Sequence, residues 1–159
     1  MLEYIDVNTG QVVVTSERYI LRSLAIGSCI VLSAYDQRTK VAGLAHIMLP
    51  GKAANGFEGK NRYAEDAIKH LLHLMTIAGC PKENLDICLV GAGNVLKDES
   101  DNVCTSNIES VYMILGRENL QVKASCLGGY ERKAMYLNSC NGIVEYTCAG
   151  SEKITLWPV

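Results

Sequence analysis

Short runs of β-branched and small apolar residues, each closed by a turn signal, constrain the fold of this chain more than any other feature. In the first fifty residues they are divided by Asn8-Thr9-Gly10, Asp36-Gln37-Arg38 and Gly51, which predicts strands at about 11–15, 20–26, 29–35 and 41–48. From Asn61 to Ala78 the period changes. Ala64, Ala67, Ile68, Leu71, Met75 and Ala78 recur at helical spacing, so one face of a helix is apolar, with Asn61 placed to cap it and Gly79 and Pro81 to end it. A second helix fits Asn107 to Gly116, with Ile108, Val111, Tyr112 and Leu115 inward. Between the helices Leu85 to Val90 reads as a short buried strand. Further strands are expected near 120–126, 133–138, 142–148 and 153–157, and Asn141-Gly142 signals a two-residue hairpin. Strands outnumber helices, and the helices interrupt the strands rather than alternate with them. The pattern is therefore α+β, a layered sandwich of mixed, largely antiparallel sheet flanked by helices, and not a doubly wound parallel sheet.

With 159 residues, 48% of them hydrophobic and 20% charged, the chain suits one compact domain spanning 1–159. The net charge of -2 exerts no general pull on nucleic acid or anionic membrane, and Lys52, Lys60 and Arg62 are too sparse to form a local patch. Seven scattered cysteines without a C-x-x-C pair argue against a zinc site and a disulfide framework. The N-terminus lacks a basic and apolar leader pattern, and no stretch has the length of a spanning helix, so a reducing cytoplasm without membrane insertion is expected.

The chemistry concentrates at Gly27-Ser28-Cys29, between two strands, and at His46 near the end of the next one. A thiol becomes a strong nucleophile when a neighbouring imidazole takes its proton, and backbone N–H groups in a glycine-containing turn can face a developing oxyanion. Antiparallel pairing across the turn at Asp36 to Lys40 would bring Cys29 and His46 together. Ser23 is the candidate to orient the imidazole by accepting its N–H. By residue type alone two readings stand: a cysteine–histidine pair, or a buried thiol and a core histidine bonded to a backbone carbonyl. His70 and His73 project from the helix toward solvent and lack a third metal ligand. Gly91-Ala92-Gly93-Asn94 lacks a completed phosphate-loop pattern and reads as a close-packing turn. Gly51 to Lys60, rich in glycine and charge, reads as a mobile loop bordering a cleft.

Four segments, Leu24-Ala25-Ile26-Gly27-Ser28-Cys29, Gly43-Leu44-Ala45-His46-Ile47-Met48-Leu49-Pro50, Arg62-Tyr63-Ala64-Glu65-Asp66-Ala67-Ile68 and Leu127-Gly128-Gly129, resemble the CheD family of bacterial chemoreceptor glutamine deamidases. The resemblance runs from about residue 3 to 157. It implies a sandwich related to the catalytic domain of cytotoxic necrotizing factor toxins, with Cys29 as nucleophile, His46 as general base and no cofactor. It also implies methyl-accepting chemotaxis receptors as protein substrates, glutamate methyl esters as further substrates, and a CheC-type phosphatase as partner. An interaction protein that binds that phosphatase with little catalysis is the alternative. Ser23 stands where the family usually has threonine. Cys104, three residues before Asn107, replaces a common glycine, Cys126 replaces an aspartate, and Arg132-Lys133 stands for Gly-Arg.

Overall fold

In the computed structural model, which describes residues 1–55 and 59–158, ten strands form two five-stranded sheets and two α-helices cover one of them. The strands are β1 (Glu3–Asp6), β2 (Val12–Thr15), β3 (Tyr19–Ile26), β4 (Ile30–Asp36), β5 (Val41–Ile47), β6 (Leu85–Gly91), β7 (Val122–Leu127), β8 (Lys133–Asn138), β9 (Val144–Cys148) and β10 (Ile154–Trp157). The helices are α1 (Ala64–Ile77) and α2 (Val103–Arg117). The outer sheet has the order β1-β3-β8-β9-β10 and the middle sheet β2-β5-β4-β6-β7. Among the described strands, β1–β3 and β6–β7 are the parallel pairs. The architecture is α+β as the sequence pattern implies, but the sheet is two sheets, and both helices lie on one side.

Alternation along β4 and β5 explains the layers. Every residue of both strands is buried. Ile30, Leu32, Ala34, Val41, Ala45 and Ile47 join α1 and α2 in one core, while Val31, Tyr35, Ala42 and Leu44 join Leu21, Met135 and Leu137 of the outer sheet in another. A strand buried on both faces belongs to the middle layer. Helix α1 docks through Ala64, Ala67, Ile68, Leu71, Leu72 and Met75, close to the expected stripe, and Gly43 of β5 leaves it room. A Cβ at Gly43 would lie 2.7 Å from a methyl of Leu71.

The structure departs from or adds to the local expectations at several points. Residues 3–6, whose apolar alternation is too short to read, form the edge strand β1. Asn61 does not cap α1: it lies in a 3₁₀ turn at Lys60–Arg62 and its Nδ2 contacts Nδ1 of His70, while the carbonyls of Leu49 and Gly51 accept the N–H groups of Ala64 and Glu65. Ala78 is exposed beyond the helix. Helix α2 begins four residues early, with Ile114 buried and Tyr112 exposed, because Asp101 accepts the Val103 N–H and starts the turn. The β8–β9 hairpin has a five-residue connection, closed by the Gly142 N–H on the Asn138 carbonyl. The loop after β5 is anchored at its start: Gly51 donates to Ser110 Oγ and the buried Ala53 to Asp66. Residues 56–58 of the loop expected to be mobile lie outside the described residues.

Candidate active site

The chain passes from the outer to the middle sheet twice in its first thirty residues, from β1 to β2 through residues 7–11 and from β3 to β4 through residues 27–29. The first passage bonds to His46, and the second ends at Cys29, on the same face of the middle sheet. In the first, Gly10 donates to the His46 carbonyl and the His46 N–H donates to the Gln11 carbonyl. The Val7 carbonyl, at a residue that is itself buried, accepts from His46 Nδ1 at 3.0 Å. A carbonyl only accepts, so Nδ1 carries the proton and the neutral ring keeps its lone pair on Nε2.

Cys29 stands one residue before β4. The register pairs Val31 with His46 and Ile30 with Ile47, so Cys29, Val31 and His46 share the face that looks at the outer sheet, with Cys29 and His46 as diagonal cross-strand neighbours. Packing agrees, since Cys29 lies against the core between the two sheets. No hydrogen bond joins Cys29 to His46 among the described residues.

Burial sets the protonation of both groups. It raises the Cys29 thiol above its ordinary value, opposed by the Thr9 hydroxyl and by the Cys29 N–H, which favour the thiolate. It lowers the His46 imidazole, opposed by the Val7 carbonyl. The resting pair is thus thiol and neutral imidazole, the state in which the ring can act as a base.

Ser23 is buried at the bulge in β3, but its hydroxyl does not accept from His46. It donates to the same Val7 carbonyl, at 2.6 Å. The expected direct contact is therefore replaced by a shared acceptor: Ser23 and His46 occupy the two lone pairs of one backbone oxygen. Backbone groups carry no residue-type signal, which is why Val7 escaped the sequence reading.

All three carbonyls of the turn are held. Gly27 accepts from Gly93 N–H at 2.8 Å, Cys29 from Ala92 N–H at 2.7 Å, and Ser28 from Asn107 Nδ2 at 2.9 Å. The close approach needs Gly91, whose φ is 137° and where a Cβ would lie 2.2 Å from the Cys29 carbonyl oxygen. The glycine-rich segment after β6 is thus the packing turn its sequence suggests. A cavity of about 210 Å³ lined by Gly27, Ser28, Leu96, Asp101 and Arg132 opens beside the turn. Asn107, fully buried, is the second residue whose place at the site was not read; a polar residue on the inward face of α2 was the available signal. His70 and His73 lie apart, on α1, and no group of three or more metal-ligating side chains occurs among the described residues.

Comparison with known proteins adds an independent line. The family model described as CheD chemotactic sensory transduction matches residues 48–147, well over half the chain, beginning just past His46. The chain is 36% identical over 150 residues to a Chlorobium luteolum protein named probable chemoreceptor glutamine deamidase CheD, covering 94% of this chain and 75% of that protein. Proteins of the same name from Clostridium botulinum and Haloarcula marismortui are 31% identical over 135 residues and 29% identical over 156 residues; they cover 82% and 97% of this chain and are themselves covered over 83% and 90%.

Proposed function

This chain belongs to the CheD family, and from that premise we propose that it deamidates glutamine side chains of methyl-accepting chemotaxis receptors by cysteine-dependent hydrolysis. The observation that carries the reading is the state of His46: its Nδ1 proton is committed to Val7, and its Nε2, without a hydrogen bond among the described residues, belongs to the face that also bears Cys29. Nε2 takes the thiol proton as sulfur attacks the carboxamide carbon. The N–H groups of the Gly27-Ser28-Cys29 turn, whose carbonyls are engaged elsewhere, stabilise the oxyanion. The imidazolium gives its proton to the leaving nitrogen, ammonia departs, and a thioester to Cys29 remains. Water, deprotonated by Nε2, attacks that thioester; sulfur leaves with the proton from His46, and glutamate is released. Val7 holds the His46 ring through its carbonyl, and Ser23 acts one step behind by bonding to that carbonyl. Glutamate methyl esters enter through the same thioester, losing methanol in place of ammonia.

Residues 1–159 act in this reading as one deamidase domain of the cytoplasm, with the layered architecture of the cytotoxic necrotizing factor catalytic domains. A CheC-type phosphatase is its proposed protein partner. Ammonia release from a receptor cytoplasmic fragment tests the function. Release that a labelled primary amine does not divert into stable incorporation supports hydrolysis. Incorporation of the amine would mean transamidation. No release would leave phosphatase binding, unchanged by Cys29→Ala, as the surviving role.

A further inference from the structure

One side chain holds both sides of the candidate dyad. Asn107, in α2 and fully buried, donates from Nδ2 to the carbonyl of Ser28 at 2.9 Å and to that of Met48 at 3.1 Å. Ser28 immediately precedes Cys29, and Met48 follows His46 by two residues. Both partners are acceptors, so the amide orientation follows: NH2 faces them, and Oδ1 is left without a hydrogen-bond partner among the described residues. Docking of α2 does not need this residue type. Val111, Ile114 and Leu115 already seat the helix, and an apolar side chain would avoid the orphaned Oδ1 but would take their donor from the Ser28 and Met48 carbonyls. What the carboxamide alone supplies is two donors directed at two separate segments.

The peptide unit gives those donors their consequence. Ser28 C=O and Cys29 N–H belong to one planar trans unit and point in opposite directions, so fixing the carbonyl fixes the N–H. The Gly93 N–H does the same for Ser28 N–H by holding the Gly27 carbonyl. We propose that Asn107 is a positioning residue that aims the Cys29 N–H at the oxyanion by holding the Ser28 carbonyl. The inference rests on Cys29 being the nucleophile, and it assigns to α2 a part in the chemical step.

The test compares wild type with Asn107→Leu, which keeps the branched shape and removes both donors, and with Asn107→Ala. Ser110→Ala serves as the control, since Ser110 lies on the same helix but accepts from Gly51. Two rates are read: glutamine deamidation of a receptor fragment, and alkylation of Cys29 by iodoacetamide, followed by peptide mass. Deamidation forms an oxyanion and alkylation does not. In folded Asn107 variants kcat is expected to fall about 100-fold, as for loss of one oxyanion donor. KM and the alkylation rate are expected to stay within about threefold, and Ser110→Ala to stay near wild type in both rates. The inference is overturned if a folded Asn107 variant keeps kcat, if deamidation and alkylation fall together, or if neither variant folds, since the position is then structural. Absence of deamidation by wild type with normal alkylation would instead defeat the deamidase reading on which the inference stands.

Discussion

The Val7 carbonyl gathers what the site depends on into one atom. Because it already fixes the His46 ring, the Ser23 hydroxyl acts on the acceptor rather than on the imidazole. Ser23→Ala is therefore expected to lower kcat by several-fold, near the ~1 kcal/mol of one hydrogen bond, with Ser23→Thr retaining activity; kinetics of the two variants check this. Loss as deep as that of the nucleophile would mean that Ser23 itself touches the reacting groups. The protonation states give a pH profile. Burial lowers His46 below its ordinary 6.5, so the free base persists below that pH and the acid limb of kcat/KM is expected below 6.5. Burial raises Cys29, so iodoacetamide labelling of that residue is expected to go on rising past pH 9.0. An acid limb above 6.5 would contradict the neutral pair. At Gly91 an added methyl would meet the Cys29 carbonyl at 2.2 Å. Gly91→Ala is expected to cost about 100-fold in kcat by displacing the turn, checked alongside circular dichroism to confirm folding.

At the scale of elements, the strands that carry the site were the more legible part of the sequence. β3, β4 and β5 fall within a residue or two of their expected limits because β-branched runs and the Asp36 turn are local signals. The Asp36 carboxylate accepts from the N–H groups of Arg38 and Thr39, so the turn residue explains itself. Antiparallel pairing of β4 with β5 follows from that turn. The start of α2 was not legible, because Asp101 and the carbonyl of Asn102 begin it from a segment with no apolar period. Nor was the contact of Ser23, since it depends on where the peptide after β1 runs. The close seat of α1 on β5 was equally hidden in an ordinary glycine. Gly43→Ala is expected to lower stability by about 1–3 kcal/mol through overpacking against Leu71 and Met75. Denaturant unfolding measures it; an unchanged midpoint would show that α1 has slack.

For the whole molecule, the two passages between sheets account for the placement of the candidate residues: Cys29 lies in one, and the other bonds to His46. The central strands β4 and β5 of the middle sheet are packed on both faces, so a turn entering β4 has its direction set by packing, as a preorganised site requires. Lys133 binds the layers at the same place. It is buried on β8 of the outer sheet, pairs with Ile26 in register, and its ammonium donates to the carbonyls of Gly128 and Gly91. Lys133→Met is expected to cost about 2 kcal/mol, within the range for hydrogen bonds from a charged group, and to be visible as a lower unfolding midpoint. The two-sheet arrangement itself was not legible in the sequence. Continuous burial of β4 and β5 looks the same whether helices or a second sheet cover the far face. The proposed chemistry, in which Cys29 forms a thioester with the receptor glutamine side chain, is tested most directly by intact-mass analysis of a receptor cytoplasmic fragment treated with wild type or with Cys29→Ala. A gain of about one dalton per modified glutamine with wild type alone is expected. An equal gain with folded Cys29→Ala, or none with folded and reduced wild type, would contradict it.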